Sequence, residues 1–179
     1  MKNKKTIYIG LSADTIHHGH MQLLERARAY GDIIVGLYTD EAIAEYKRLP
    51  YLNYEQRKKI LINFKGVQKV YPQKEFDYSN NLKKLKPDYM LHGDDWKFGY
   101  MSNIRKRCIK VLKSYGGKLI EVPHTKGISS SALVKQITSS TITPDLRRGL
   151  LKRLIQSKPI TRILETHSPI SAIIAENLT

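Results

Sequence analysis

Five short runs rich in β-branched and aromatic residues alternate with helical patterns over the first two-thirds of this chain, and that alternation leaves few ways to fold it. The runs are Thr6 to Leu11 ("TIYIGL"), Asp32 to Tyr38 ("DIIVGLY"), Val67 to Pro72, Asp88 to Gly93 and Lys118 to Pro123. Between them, helical patterns cover Gly19 to Tyr30, Tyr54 to Phe64, Asn80 to Leu85 and Ser102 to Ser114. Strands separated by helices of this length pair in parallel, because each crossover returns the chain to the same end of the sheet. The expectation is an α/β fold, a doubly wound parallel sheet of five strands with helices on both faces. Local punctuation agrees. Asn53 and Gln56 are spaced as a capping box ahead of "YEQRKKIL", and "YGG" (Tyr115 to Gly117) reads as a helix stop.

The chain has 179 residues, enough for one domain with a proper core and a short extra piece. The core domain is expected over 1–138 and a polar linker, "TSSTITPD", over its end and 139–145. A helical tail, 146–179, opens with the basic amphipathic stretch "LRRGLLKRLIQ". No apolar run reaches the ~18 residues that span a bilayer, so stable membrane insertion is not expected. The opening "MKNKKTIYIG" reads as a strand and not as a leader. A single cysteine, Cys108, cannot form an internal disulfide; a cytoplasmic setting and a packing role for Cys108 are expected. The net charge of +15 attracts polyanions: nucleic acid, anionic lipid or a polyphosphate nucleotide. The densest patch is Arg105, Lys106, Arg107, Lys110 and Lys113, for which a solvated helix face is the plainest reading.

Three stretches carry chemistry that folding does not require. "TIHHGH" (Thr15 to His20) places histidines where the first strand hands over to a helix. In an open α/β sheet, ligands bind beyond the carboxyl ends of strands. There Gly19 allows close approach, exposed helix N–H groups favour an anion, and His17 and His20 donate to oxygens on which charge builds up. "HTKGISSSALVKQI" (His124 to Ile137) repeats the arrangement after the last strand, with Gly127, Ser129 and Ser130 at a helix start. "HGDDWKFG" (His92 to Gly99) sets two carboxylates beside an indole, suited to ribose hydroxyls, hydrated Mg²⁺ or a cationic group. Lys47 and Arg48, ahead of Pro50, are placed to clamp outer phosphates. Each stretch alone has an ordinary explanation as a cap or turn; together they point to a nucleoside triphosphate.

"HHGH" fits the HxGH pattern of the nucleotidyltransferase superfamily. "TDEAIAEYKRLPYLNYEQRKKIL", "GDDW" and "TKGISSS" then resemble, in the same order, the cytidylyltransferases acting on glycerol phosphate, phosphocholine and phosphoethanolamine. The resemblance covers Thr6 to Ile137 and agrees with a Rossmann-like sheet. It implies that Ser12, Ala13 and Asp14 form the turn before HxGH, that His17 and His20 meet the α-phosphate, and that Lys47 clamps phosphate with Arg48 in reach. It further implies nucleotide contacts from Gly93, Asp94 and Trp96, and from Ile128 to Ser130 with Gly127. The family's arginine at the head of its last motif is His124 here, and "RYVDEV" appears as "KGVQKV" (Lys65 to Val70). The tail, "LKRLIQSKPITRILETHSPISAIIAE", resembles the opening of phosphoenolpyruvate mutase.

The joint expectation is a CTP-dependent enzyme that moves CMP onto a phosphonate such as 2-aminoethylphosphonate and releases pyrophosphate. Mg²⁺ is the implied cofactor, with Asp95 its candidate ligand, and Asp77 and Tyr78 are candidates for the acceptor's ammonium. A homodimer, possibly fused to a mutase domain, is implied. The alternatives are glycerol phosphate, phosphocholine or phosphoethanolamine as acceptor, and a non-catalytic module binding nucleic acid or membrane.

Overall fold

A computed structural model of the chain describes residues 4–46, 48–123, 144–158, 160, 165 and 168–177. Strands β1 (Thr6–Leu11), β2 (Asp32–Tyr38), β3 (Val67–Gln73), β4 (Tyr89–Gly93) and β5 (Lys118–Val122) form one sheet in the order β3-β2-β1-β4-β5. Every neighbouring pair is parallel, which is the Rossmann-like α/β architecture expected. Helices α1 (His18–Arg28), α2 (Asp40–Ala44), α3 (Tyr54–Leu61), α4 (Ser79–Leu85) and α5 (Met101–Ser114) lie in the crossovers. Two more, α6 (Pro144–Ser157) and α7 (Pro169–Asn177), follow, and a 3₁₀ turn covers Asp94–Lys97. The expected linker is shorter at its far end, since α6 opens at Pro144, where the missing N–H and fixed φ of proline suit a first helical position. Residues 139–143 lie outside the described residues.

Alternation along β1 divides the interior in two. Ile7, Ile9 and Leu11 pack with Leu24 and Ala27 of α1 and Leu61 of α3. Tyr8 packs on the other face with Met90, Leu82 of α4, and Ile104, Cys108 and Leu112 of α5. Cys108 is fully buried, and burial pushes its thiol up to about 12, so its packing role stands. The basic face of α5 is partly spent within the molecule. Arg105 pairs with Glu121 at 2.8 Å and Arg107 with Asp77 at 2.5 Å.

Two glycines make room for two tyrosines. Gly10 and Gly36 sit opposite each other in the β1–β2 ladder. The Tyr8 ring passes over Gly36 to reach β3, where its hydroxyl donates to Gln73 Oε1 at 2.5 Å and accepts from Asn81 at 3.1 Å. Gln73, 2% exposed, donates in turn to the carbonyls of Glu75 and Asp77. The Tyr78 ring lies against Gly10 in the same way.

The direction of winding reverses between β1 and β4. Their pairing is confined to Ile7↔Tyr89 and Tyr8↔Met90, although β1 runs on to Leu11 and β4 to Gly93. By contrast β1 stays with β2 as far as Leu11↔Leu37, and β4 with β5 as far as Gly93↔Val122. The sheet therefore parts at its carboxyl edge where the topology switches, which is where open α/β sheets take their ligands.

A Cβ on Gly36 would stand 1.7 Å from the Tyr8 hydroxyl oxygen, which its hydrogen bonds hold in place. Gly36→Ala is expected to destabilise the fold by about 1–3 kcal/mol. Thermal denaturation should register this as a fall in Tm of about 2–4 °C per kcal/mol.

Candidate active site

The turn after β1 is held in an unusual conformation by the residues beneath it. Ala13, 1% exposed, has φ 50°, in the left-handed region that costs a non-glycine residue free energy. That kink delivers Asp14 to a buried position where its carboxylate accepts from the Tyr51 N–H at 2.6 Å and from Arg48 Nη2 at 2.7 Å. Arg48 also donates to the Leu49 carbonyl at 2.7 Å and lies 4.6 Å from the Tyr51 ring centroid. The carbonyl of Ser12 accepts from Arg57 Nη1 at 2.6 Å.

Arg57 was not among the residues singled out from the sequence. Its side chain is fully buried and donates to Leu52 O, Ser12 O and, at 2.7 Å, to Asp40 Oδ1. The spacing Tyr54, Arg57, Leu61 puts it on the inward face of α3, so a charge at a core position was the available signal.

Above this scaffold, His17 is extended and caps α1. The His17 and His20 rings approach to 4.0 Å between centroids, and the His17 backbone N–H donates to His20 Nδ1 at 3.4 Å. Accepting at Nδ1 places the proton of the neutral His20 ring on Nε2, where it is a donor for an oxyanion. Both rings are half-buried while His18 is exposed. The first turn of α1 has no acidic residue to offset the positive end of the helix dipole. Ser12, Ala13, Asp14, His17, Gly19 and His20 thus form one continuous wall at the carboxyl end of β1.

The neighbouring wall is the end of β4. His92 stacks on Trp96 at 3.8 Å and 9° between ring planes. Its Nδ1 lies 2.8 Å from the Gly93 carbonyl, which only accepts, so Nδ1 carries the proton and Nε2 accepts from the Tyr78 hydroxyl at 3.3 Å. Burial lowers the His92 pKa against the opposing pull of the Gly93 carbonyl, Asp95 and Glu121. Trp96 is 1% exposed and donates to Glu121 at 2.8 Å, so the indole anchors the Gly93–Trp96 turn from inside. Asp95 is exposed, 3.7 Å from His92 Nδ1.

The acceptor candidates are tied to the scaffold. Asp77 accepts from the Ser79 N–H and hydroxyl and from Arg107. Burial raises its pKa, but these donors outweigh it and hold the carboxyl below its ordinary value. Tyr78 is buried, bridging Gly10 of β1 and His92 of β4, and burial raises its hydroxyl pKa. Lys47, His124, Gly127, Ile128, Ser129 and Ser130 lie outside the described residues. Among the described residues no cluster of three or more His, Cys, Asp or Glu side chains is placed to hold a metal. An exposed carboxylate such as Asp95 does fit Mg²⁺ that arrives on nucleotide phosphates, since that ion keeps most of its waters and needs one or two protein carboxylates. No helix among the described residues is long and apolar enough to cross a membrane.

The cytidylyltransferase-like family profile matches residues 8–136, spanning both walls. The chain belongs to that family. Its class is that of a CTP-dependent nucleotidyltransferase. Glycerol-3-phosphate cytidylyltransferase of Bacillus spizizenii is 36% identical over 138 residues, 76% of this chain and 98% of that one. Ethanolamine-phosphate cytidylyltransferase of Mus musculus is 33% identical over 123 residues, 68% of this chain and 30% of that one. The crystal structure of a lipopolysaccharide core biosynthesis protein from Thermoplasma volcanium shares the fold. Its TM-score is 0.59 at 18% identity, covering 69% of this chain and 100% of that one.

Glu121 ties the cytidylyltransferase's β4 turn to α5 and β5. Arg105, with help from Trp96, draws its pKa down to about 2, from an ordinary 4.5. Its stabilising contribution is complete above about pH 4.5 and is lost as pH falls toward 2. In denaturant titrations run from pH 7 down to pH 2.5, Glu121→Gln should lower stability at pH 7 and flatten the acid limb.

Proposed function

We propose that this protein transfers CMP from CTP to a small acceptor bearing a phosphorus oxyanion, with release of pyrophosphate. The observation that carries the reading is the pair of half-buried histidines at the uncompensated N-terminus of α1, beside the parting of the sheet between β1 and β4.

An acceptor oxygen attacks the α-phosphorus in line as the bond to the β-phosphate oxygen breaks. The acceptor oxygen is already anionic, so the step needs no strong base. Its demands are alignment and neutralisation of charge on the α-phosphoryl oxygens and the departing pyrophosphate. His20 Nε2–H and His17 donate to the α-phosphoryl oxygens, and the N–H groups at the start of α1 add their dipole. By resemblance to the family, Lys47, the sequence neighbour of Arg48, receives the β- and γ-phosphates together with Ser129 and Ser130, and Gly127 and Ile128 belong to the same sequence motif. The turn from Gly93 to Trp96 borders the nucleoside, with Asp94 facing ribose hydroxyls. Asp95 would hold Mg²⁺ arriving on the nucleotide's phosphates, and the ion would supply charge neutralisation on the leaving group.

For the acceptor, the named relatives favour a phosphate monoester of the glycerol phosphate or phosphoethanolamine kind. A phosphonate remains the second reading, favoured by the tail's likeness to phosphoenolpyruvate mutase. Dimerisation and a cytoplasmic location belong to the same proposal.

Pyrophosphate release should be followed with CTP, Mg²⁺ and, in separate reactions, glycerol 3-phosphate, phosphoethanolamine, phosphocholine, 2-aminoethylphosphonate and 2-hydroxyethylphosphonate. Saturable turnover with one acceptor is expected, and a preference for either phosphonate decides for the second reading. His20→Ala should lower kcat by about 10²-fold or more with little change in Tm. Wild-type turnover in that variant would remove the assigned role, and failure to release pyrophosphate with any of the acceptors would reject the activity reading.

A further inference from the structure

The family match ends at residue 136, and α6 lies wholly beyond it. Nevertheless α6 is bonded to the scaffold beneath the histidines. Arg153 of α6, its side chain 23% exposed, donates from Nη1 to the Tyr51 carbonyl at 2.8 Å and from Nη2 to Asp40 Oδ2 at 3.0 Å. Each acceptor already serves the turn after β1. The Tyr51 N–H is the group that donates to Asp14, so residue 51 is gripped from both sides. The other oxygen of Asp40 holds Arg57, whose Nη1 reaches the Ser12 carbonyl.

Two bonded paths therefore run from α6 to the same three-residue turn. One is Arg153–Tyr51–Asp14, the other Arg153–Asp40–Arg57–Ser12. They need a planar fork that spans a carbonyl and a carboxylate together, which a lysine ammonium supplies poorly. Arg57, fully buried, keeps Asp40 as its partner whether or not Arg153 is present. Arg153 is thus a removable brace, whose loss leaves no buried charge alone.

We propose that Arg153 is a positioning residue for the nucleotide site. It straps α6 to residues 48–53 and so holds the Ser12–Asp14 turn, and with it His17, in the geometry that receives the phosphates of CTP. The inference rests on the cytidylyltransferase reading above. It assigns the helix beyond the family match a part in nucleotide binding, separate from its likeness to another enzyme's opening segment.

The test compares wild type, Arg153→Met and Arg153→Lys in the 179-residue chain, by amide hydrogen exchange and by pyrophosphate-release kinetics with CTP. In Arg153→Met the Tyr51 amide should exchange about tenfold faster and the KM for CTP rise about tenfold, the scale of one charge-assisted hydrogen bond. The kcat should stay within about threefold of wild type, and Arg153→Lys should restore part of both effects. A merely structural role would lower Tm and the active fraction while leaving the KM for CTP where it was. Unchanged Tyr51 exchange, or an unchanged KM for CTP, overturns the proposal. If Arg153→Met fails to fold, Arg153→Gln, which also lacks the charge and the two-armed fork, takes its place under the same criteria. If the wild type itself turns over no CTP with any acceptor, the activity reading has failed, and the exchange rates alone then uphold or overturn the strap.

Discussion

A guanidinium ion with no exposed side-chain surface stands at the centre of this molecule, and the geometry of the turn after β1 depends on how its charge is met. Arg57 satisfies its donors with two carbonyls and one carboxylate, drawn from the turn after β1, the segment before α3 and the start of α2. Burying a charge is tolerable only when its partners are complete, and removing one partner of such a pair costs about 3–5 kcal/mol. The three segments are consequently not independent loops that happen to be close. They are locked to one ion, and Asp14 and Arg48 add a second lock a few residues away.

The parting of β1 from β4 follows from a different constraint, the bulk of aromatic side chains. Tyr78 lies against Gly10 and reaches His92, filling the gap on one face where the ladder has ended. On the same side Trp96 stacks on His92 and joins Glu121 and Arg105, so the β4 turn is set by a buried aromatic stack and an ion pair. The two walls of the cleft are thus built by different physics. A charged scaffold orders the histidine wall, and an aromatic one orders the wall at the end of β4.

Much of this was legible in the sequence, and what was not has definite causes. β1 and β2 occupy the runs read as strands, because β-branched residues at a two-residue period permit little else. The Asn53–Gln56 capping box forms as its spacing requires. By contrast α2, five residues long, is too short for periodicity to register, and its start depends on the Thr39 hydroxyl accepting from Ala42. Ala13 gave no warning of a positive φ, since the tertiary contacts of Asp14 impose it. Asp77 and Tyr78 looked like loop residues open to a ligand; their partners, Arg107 and His92, lie 30 and 14 residues away, and no local pattern reveals them. The paired aspartates and the indole of "GDDW" were read as one ligand-facing group, yet the structure buries Trp96 and leaves Asp95 in solvent.

Trp96 is the sole tryptophan of the chain, and it sits inside the turn at the end of β4 in face-to-face contact with an imidazole. Its indole emission, excited beyond the tyrosine absorption band, accordingly has a single origin, and imidazolium in such contact accepts an electron from an excited indole far better than neutral imidazole does. The chain therefore carries an intrinsic optical gauge, reporting at once on the closeness of that stack and on the protonation of His92, with no added label.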